Sequence, residues 1–177
     1  MKKNFFLAIA ALLILSVSPA MAQSDSSDSN TRSANAPGTP LEKLLTDAKL
    51  QYGQASSPGV YFTTFRGEYG DWNIYLRHQL ENDLVDAWVV VASLPNGARF
   101  PEEVLRELAR MNFTYPVIKW AIDFEHGLLG VTCQVPRDMP STLFRKVMVT
   151  LAGAADREGG GLKQMIKQAG LTVRTDD

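Results

Sequence analysis

Cysteine is nearly absent from this chain, with one thiol, Cys133, among 177 residues. Disulfide frameworks use cysteines in pairs, so an intramolecular staple is excluded. Histidine is equally scarce, with only His78 and His126, and no zinc-like spacing connects them to the cysteine. Neither charge dominates: 18 Lys and Arg face 19 Asp and Glu, for a formal net charge of −1. Basic and acidic residues are interspersed, so the electrostatic footprint of a nucleic-acid binder is missing. A membrane-surface helix rich in Lys and Arg is missing too. No apolar run reaches the roughly 20 residues that a transmembrane helix needs. No cofactor motif stands out, and no cofactor is expected.

What is present begins with an export pattern. Lys2 and Lys3 form a short positive region, and Phe5 to Leu15 is almost wholly apolar. Ser16 to Pro19 breaks that run, and Ala20-Met21-Ala22 supplies small residues at the positions a signal peptidase reads. Residues 1–22 are therefore expected to be a cleavable signal peptide. The mature chain is expected to be periplasmic or extracellular, with no stable membrane insertion after cleavage. Without Lys2 and Lys3 the formal charge moves from −1 to about −3. Residues 23–38 contain no aliphatic side chain larger than alanine. Such a segment buries too little apolar surface to offset its ordering entropy, and it reads as a disordered linker. Residues 39–177 are of ordinary single-domain size.

Within that domain, Thr39-Pro40-Leu41-Glu42 is a helix start: a cap, a first-position proline and a capping-box glutamate. Leu41, Leu44, Leu45, Ala48 and Tyr52 share its apolar stripe. Three strands are expected over Val60–Arg66, Trp72–Gln79 and Leu84–Ala92, with short connections that imply antiparallel neighbours. The last is apolar on both faces through Trp88, Val89, Val90 and Val91, so both faces need cover. Pro95-Asn96-Gly97 is a turn, and Pro101 opens a second helix with Val104, Leu105, Leu108 and Ala109 buried. Asn112 is expected to end it in a left-handed conformation.

A hairpin follows. Ile118, Trp120, Ile122 and Phe124 share one face, as do Leu129, Val131, Cys133 and Val135. A two-residue His126-Gly127 turn would pair Phe124 with Leu129, Ile122 with Val131 and Trp120 with Cys133. Ser141 is expected to cap a third helix with Leu143, Phe144, Val147, Met148 and Leu151 buried. Gly159-Gly160-Gly161 reads as a connector before a short last helix ending at Gly170. The order α-β-β-β-α-β-β-α, with five antiparallel strands, is an α+β fold.

Leu105-Arg106-Glu107-Leu108-Ala109-Arg110-Met111-Asn112, then Trp120-Ala121-Ile122-Asp123-Phe124 and Gly127-Leu128-Leu129, resemble the bacterial YbjN-like family, as does Trp72-Asn73-Ile74. The family is described as sensory transduction regulators with a type III secretion chaperone-like fold. The resemblance covers most of Leu41 to about Asp156 and consists of framework features. It implies that fold, peptide or protein contact through the sheet, possible homodimerisation, and no defined reaction. Secretion chaperones work in the cytosol, so an exported chain departs from that role.

Candidate sites follow from the residue types. Cys133 with His126 would make a nucleophile pair only if the turn brought them together, and a core-facing thiol is inert. Asp71, His78, Glu81, Asp83 and Asp86 would ligate a metal only by converging, and they read as solvated loop charges. Asp123 and Glu125 flank a turn, with Asp123 expected to face solvent. Asn112-Phe113-Thr114 matches a glycosylation sequon by pattern alone. The favoured site is a protein- or peptide-binding face using Trp72, Trp88 and Val90, on a non-enzymatic module. The second reading is a small-ligand or envelope-stress sensor with a pocket between helices and sheet.

Overall fold

A computed structural model of the chain describes residues 38–95 and 97–173. The expected signal peptide, all of the expected linker except Gly38, Asn96 of the predicted turn and residues 174–177 lie outside the described residues.

The first helix, α1 (Pro40–Asp47), starts as its sequence dictates. Thr39 Oγ1 accepts from the Glu42 backbone at 3.2 Å, and Glu42 Oε2 accepts from the Thr39 backbone at 2.7 Å. It ends sooner than the apolar stripe suggests. Lys49 adopts φ 55°, while Leu50 N donates to Leu45 O and Lys49 N to Thr46 O. These two bonds close the helix in a Schellman arrangement with lysine at the left-handed position. Tyr52 therefore leaves the stripe and sits edge-on to Tyr61, with ring centroids 5.8 Å apart.

The sheet has six strands rather than the five expected: β1 (Gly53–Gln54), β2 (Val60–Arg66), β3 (Asp71–Gln79), β4 (Leu84–Ser93), β5 (Lys119–Asp123) and β6 (Leu128–Pro136). Their spatial order is β1-β2-β3-β4-β6-β5, antiparallel throughout. Two residues, one of them glycine, carry no periodic signal, so β1 was invisible in the sequence. In β4 the register slips between Val90 and Ala92. This bulge lets Val91 and Ala92 both enter the main core, while Trp88 and Val90 take the other face.

The hairpin is wound two residues differently from the expected pairing. Ile122 faces Leu129 and Trp120 faces Val131, joined by a four-residue connection over 124–127. A shift of two preserves which face each side chain uses. It leaves Phe124 outside the ladder and 69% exposed. The longer turn is held by Asp123, whose carboxylate accepts from the backbone N–H groups of Glu125 and His126.

Two further helices among the described residues are α2 (Glu102–Thr114) and α3 (Ser141–Gln168). On α2 the buried stripe is Val104, Leu108 and Met111, whereas Leu105 and Ala109 face outward. Asn112 lies inside α2 and does not terminate it. Ser141 is the first residue of α3, and Pro140 precedes it without a side-chain cap. The three glycines do not break α3, which runs 28 residues and buries Phe144, Met148, Leu151, Ala155, Gly159, Leu162 and Ile166 along one side. Leu143 stays largely exposed. Among the described residues, the three helices pack on one face of the sheet around a single main core. Among the described residues, no helix is long and apolar enough to cross a membrane.

Candidate functional site

With the helices on one side, the opposite face of the sheet is left to its own side chains. Trp88 stacks on Tyr75 with centroids 5.9 Å apart, and Val60 and Leu128 pack beside it. These neighbours leave Trp88 only 4% exposed. Next to this cluster the sheet is thin. Val90, Gly130 and Ala121 lie in register across β4, β6 and β5, with no large side chain among them. The rows on either side carry Trp88 with Thr132, and Leu128 with Asp123. The result is a shallow, open apolar groove running across the strands, with Trp88, Leu128 and Thr132 as walls.

The structure thus brings Trp88 and Val90 together and separates Trp72 from them. Tyr75 faces Trp88, so Trp72, three residues earlier on β3, points to the helices. There it is 8% exposed, and its Nε1 donates to Asp156 Oδ1 at 2.8 Å. Asp156 of α3 also accepts from the backbones of Glu68 (2.8 Å) and Tyr69 (3.0 Å) in the β2–β3 turn. The Trp72 bond and then these two hold its carboxyl below the usual carboxylate range. Lys163 Nζ lies 5.1 Å from the centre of the same indole. Sequence reasoning missed this clamp. Its one signal was a charge in helical phase with Ala152 and Gly159, on the buried stripe.

The other candidates have structural partners. Asp83 is bound by Arg137 Nε (2.9 Å) and His78 Nε2 (2.8 Å), which push its pKa down to about 2, Arg137 contributing most. Asp86 is not the solvated loop charge expected. It is fully buried on the helix-free face, accepting from Gln134 Nε2 at 2.9 Å, from Gln79 and from Arg77. Asp71 and Glu81 remain exposed, and among the described residues no three His, Cys, Asp or Glu side chains converge as metal ligands.

Asp123 is also a correction. It is 4% exposed rather than solvent-facing, with His126 Nδ1 2.7 Å from its Oδ2. Alternation puts it on the helix-free face for either turn length, and the four-residue turn folds back over it there. Glu125 meets it through its backbone N–H, while its side chain is exposed.

Cys133 faces the helices, away from His126 and the groove. Burial, and then the charge of Asp86, push its thiol up to about 12. In folded protein near neutral pH, alkylation of Cys133 is expected to be ~1,000-fold slower than in denaturant, because the thiolate fraction falls with the shift. Comparable rates in a mass-spectrometric time course would show the thiol to be accessible.

No protein-family model matches the chain, and no curated protein matches it in sequence. Among solved structures it is similar to the type III secretion chaperone SycH of Yersinia pestis, in complex with a stable fragment of YscM2. That match has 21% identity and a TM-score of 0.45, and covers 66% of this chain and 93% of the other. It is also similar to the HopA1–SchA chaperone–effector complex, at 13% identity and a TM-score of 0.46, covering 70% and 90%. The likeness is one of general arrangement and assigns no site residue. The chain itself is α+β, with helices on one side of an antiparallel sheet.

Proposed function

We propose that the mature chain is an exported, non-enzymatic binding or regulatory module of the YbjN-like kind, resident in the periplasm. Its partner is a protein or peptide held against the helix-free sheet face. The observation that carries this reading is the apolar groove beside Trp88 and Val90. An apolar recess is what a partner's side chain fills, and apolar patches mark interaction sites. The space between helices and sheet, where a small-ligand pocket was the second reading, is filled by Phe144, Met148, Leu151 and Ile166, all at 1% exposure or less.

Val90, half-buried at the groove, is a better probe than the buried Trp88. Val90→Lys places a charge in the groove and is expected to leave the near-ultraviolet spectrum native. Affinity capture from an envelope extract should then lose a partner that wild type retains, with at least a ~10-fold weaker Kd on purified components. Equal retention by the folded variant would remove this face as the binding surface. A retained second copy of the chain would make the module a homodimer.

A further inference from the structure

β5 is an edge strand, and Asn112 of α2 occupies part of its free edge. The carboxamide makes two bonds to one residue: Trp120 N donates to Asn112 Oδ1 at 2.7 Å, and Asn112 Nδ2 donates to Trp120 O at 3.0 Å. An antiparallel residue sends its N–H and C=O to the same side. The side chain of Asn112 therefore imitates the peptide group of a neighbouring strand. By the same alternation Lys119, Ala121 and Asp123 bond to β6, while Trp120 and Ile122 present their backbones outward. Lys119 Nζ reinforces the arrangement by donating to Asn112 O and Tyr115 O.

The exposed ladder of an edge strand is a template for another chain, and Trp120 and Ile122 are both of types enriched in strands. We propose that Asn112 is an edge guard: it fills the outward hydrogen-bonding positions of Trp120, which an incoming strand needs, and so keeps this edge from pairing with a second copy. The device is independent of the groove. It also means that the amide of the Asn112-Phe113-Thr114 sequon is already in use.

The test is sedimentation of the full mature chain carrying Asn112→Ala. Near-ultraviolet circular dichroism checks that it is folded, and hydrogen exchange follows Trp120 and Ile122. Removing the guard is expected to tighten self-association by on the order of 10-fold relative to wild type, with protection of the Ile122 amide rising with concentration. Adding Ile122→Pro should return the variant to the wild-type association state. Proline removes an outward N–H there and no bond to β6. A folded Asn112→Ala chain that associates no more than wild type would overturn the proposal, leaving Asn112 a tether between α2 and β5. Association that survives Ile122→Pro would overturn it as well. Should Asn112→Ala fail to fold, Asn112→Leu decides by the same criteria, since it keeps the side-chain bulk and removes both the donor and the acceptor.

Discussion

Replacing Asp156 with alanine is expected to lower the melting temperature by on the order of 10 °C, among the largest effects of any polar substitution in this domain. Three donors depend on this carboxylate: the backbone N–H groups of Glu68 and Tyr69 and the indole of Trp72. Their loss strands the indole N–H beneath α3 and unpins the β2–β3 turn. The turn has no spare room to compensate. A Cβ on Gly67 would lie 2.2 Å from Asp156 Oδ1, so backbone and carboxylate are already in contact. The pH dependence carries a definite sign. Asp156 has a depressed carboxyl pKa in the folded chain, so its contribution is present above the ordinary carboxylate value, about 4. It is lost as pH falls through the folded value. Asp83 titrates in the same acidic region, so wild type alone does not isolate Asp156. The melting-temperature difference between wild type and Asp156→Asn should be largest near neutrality and shrink below about pH 4. A constant difference across that range would show that the carboxylate charge plays no part in the clamp.

The glycine triplet gives the second large effect, with opposite signs at adjacent positions. Gly160 and Gly161 lie on the exposed side of α3, with nothing within 4 Å of an added Cβ. Alanine at each should stabilise by about 1 kcal/mol through helix propensity alone. Gly159 faces the sheet, where a Cβ would meet Trp72 Cη2 at 2.9 Å and Val91 Cγ1 at 3.2 Å. The Trp72 ring cannot yield, because Asp156 holds its nitrogen. Gly159→Ala is therefore expected to cost about 1–2 kcal/mol net, overpacking outweighing the propensity gain. Urea denaturation of the three single variants measures this directly. Stabilisation by Gly159→Ala equal to that of its neighbours would mean that α3 does not press on Trp72.

Those three glycines show where local reading fails. Propensity weighs them as a connector, since each costs a helix about 1 kcal/mol. Packing of Leu151, Leu162 and Ile166 on either side carries α3 through them, and Gly159 is needed for close approach to the sheet. Asn112 shows the same limit. It looks like a terminator by residue type, but its bonds to Trp120 are made to another element and leave no trace in helical periodicity.

The sequence by itself determined the parts whose causes lie within a few residues. The capping box at Thr39, the alternation in β3, β5 and β6, the punctuation at Gly170 and the α+β order are all set by short-range sterics, capping and periodicity. The apolarity of β4 on both faces was also legible, and with it the need for cover beyond the helices. Only the tertiary structure decided which faces meet. It put Trp72 with α3 and Trp88 with the groove, because the β3–β4 register sets Trp88 opposite Tyr75 and so leaves Trp72 on the other face. It buried Asp86 and Asp156 by supplying donors from other segments, and Asp123 beneath the turn that follows it. A carboxylate's surroundings depend on the partners that folding brings to it, and no local pattern records them.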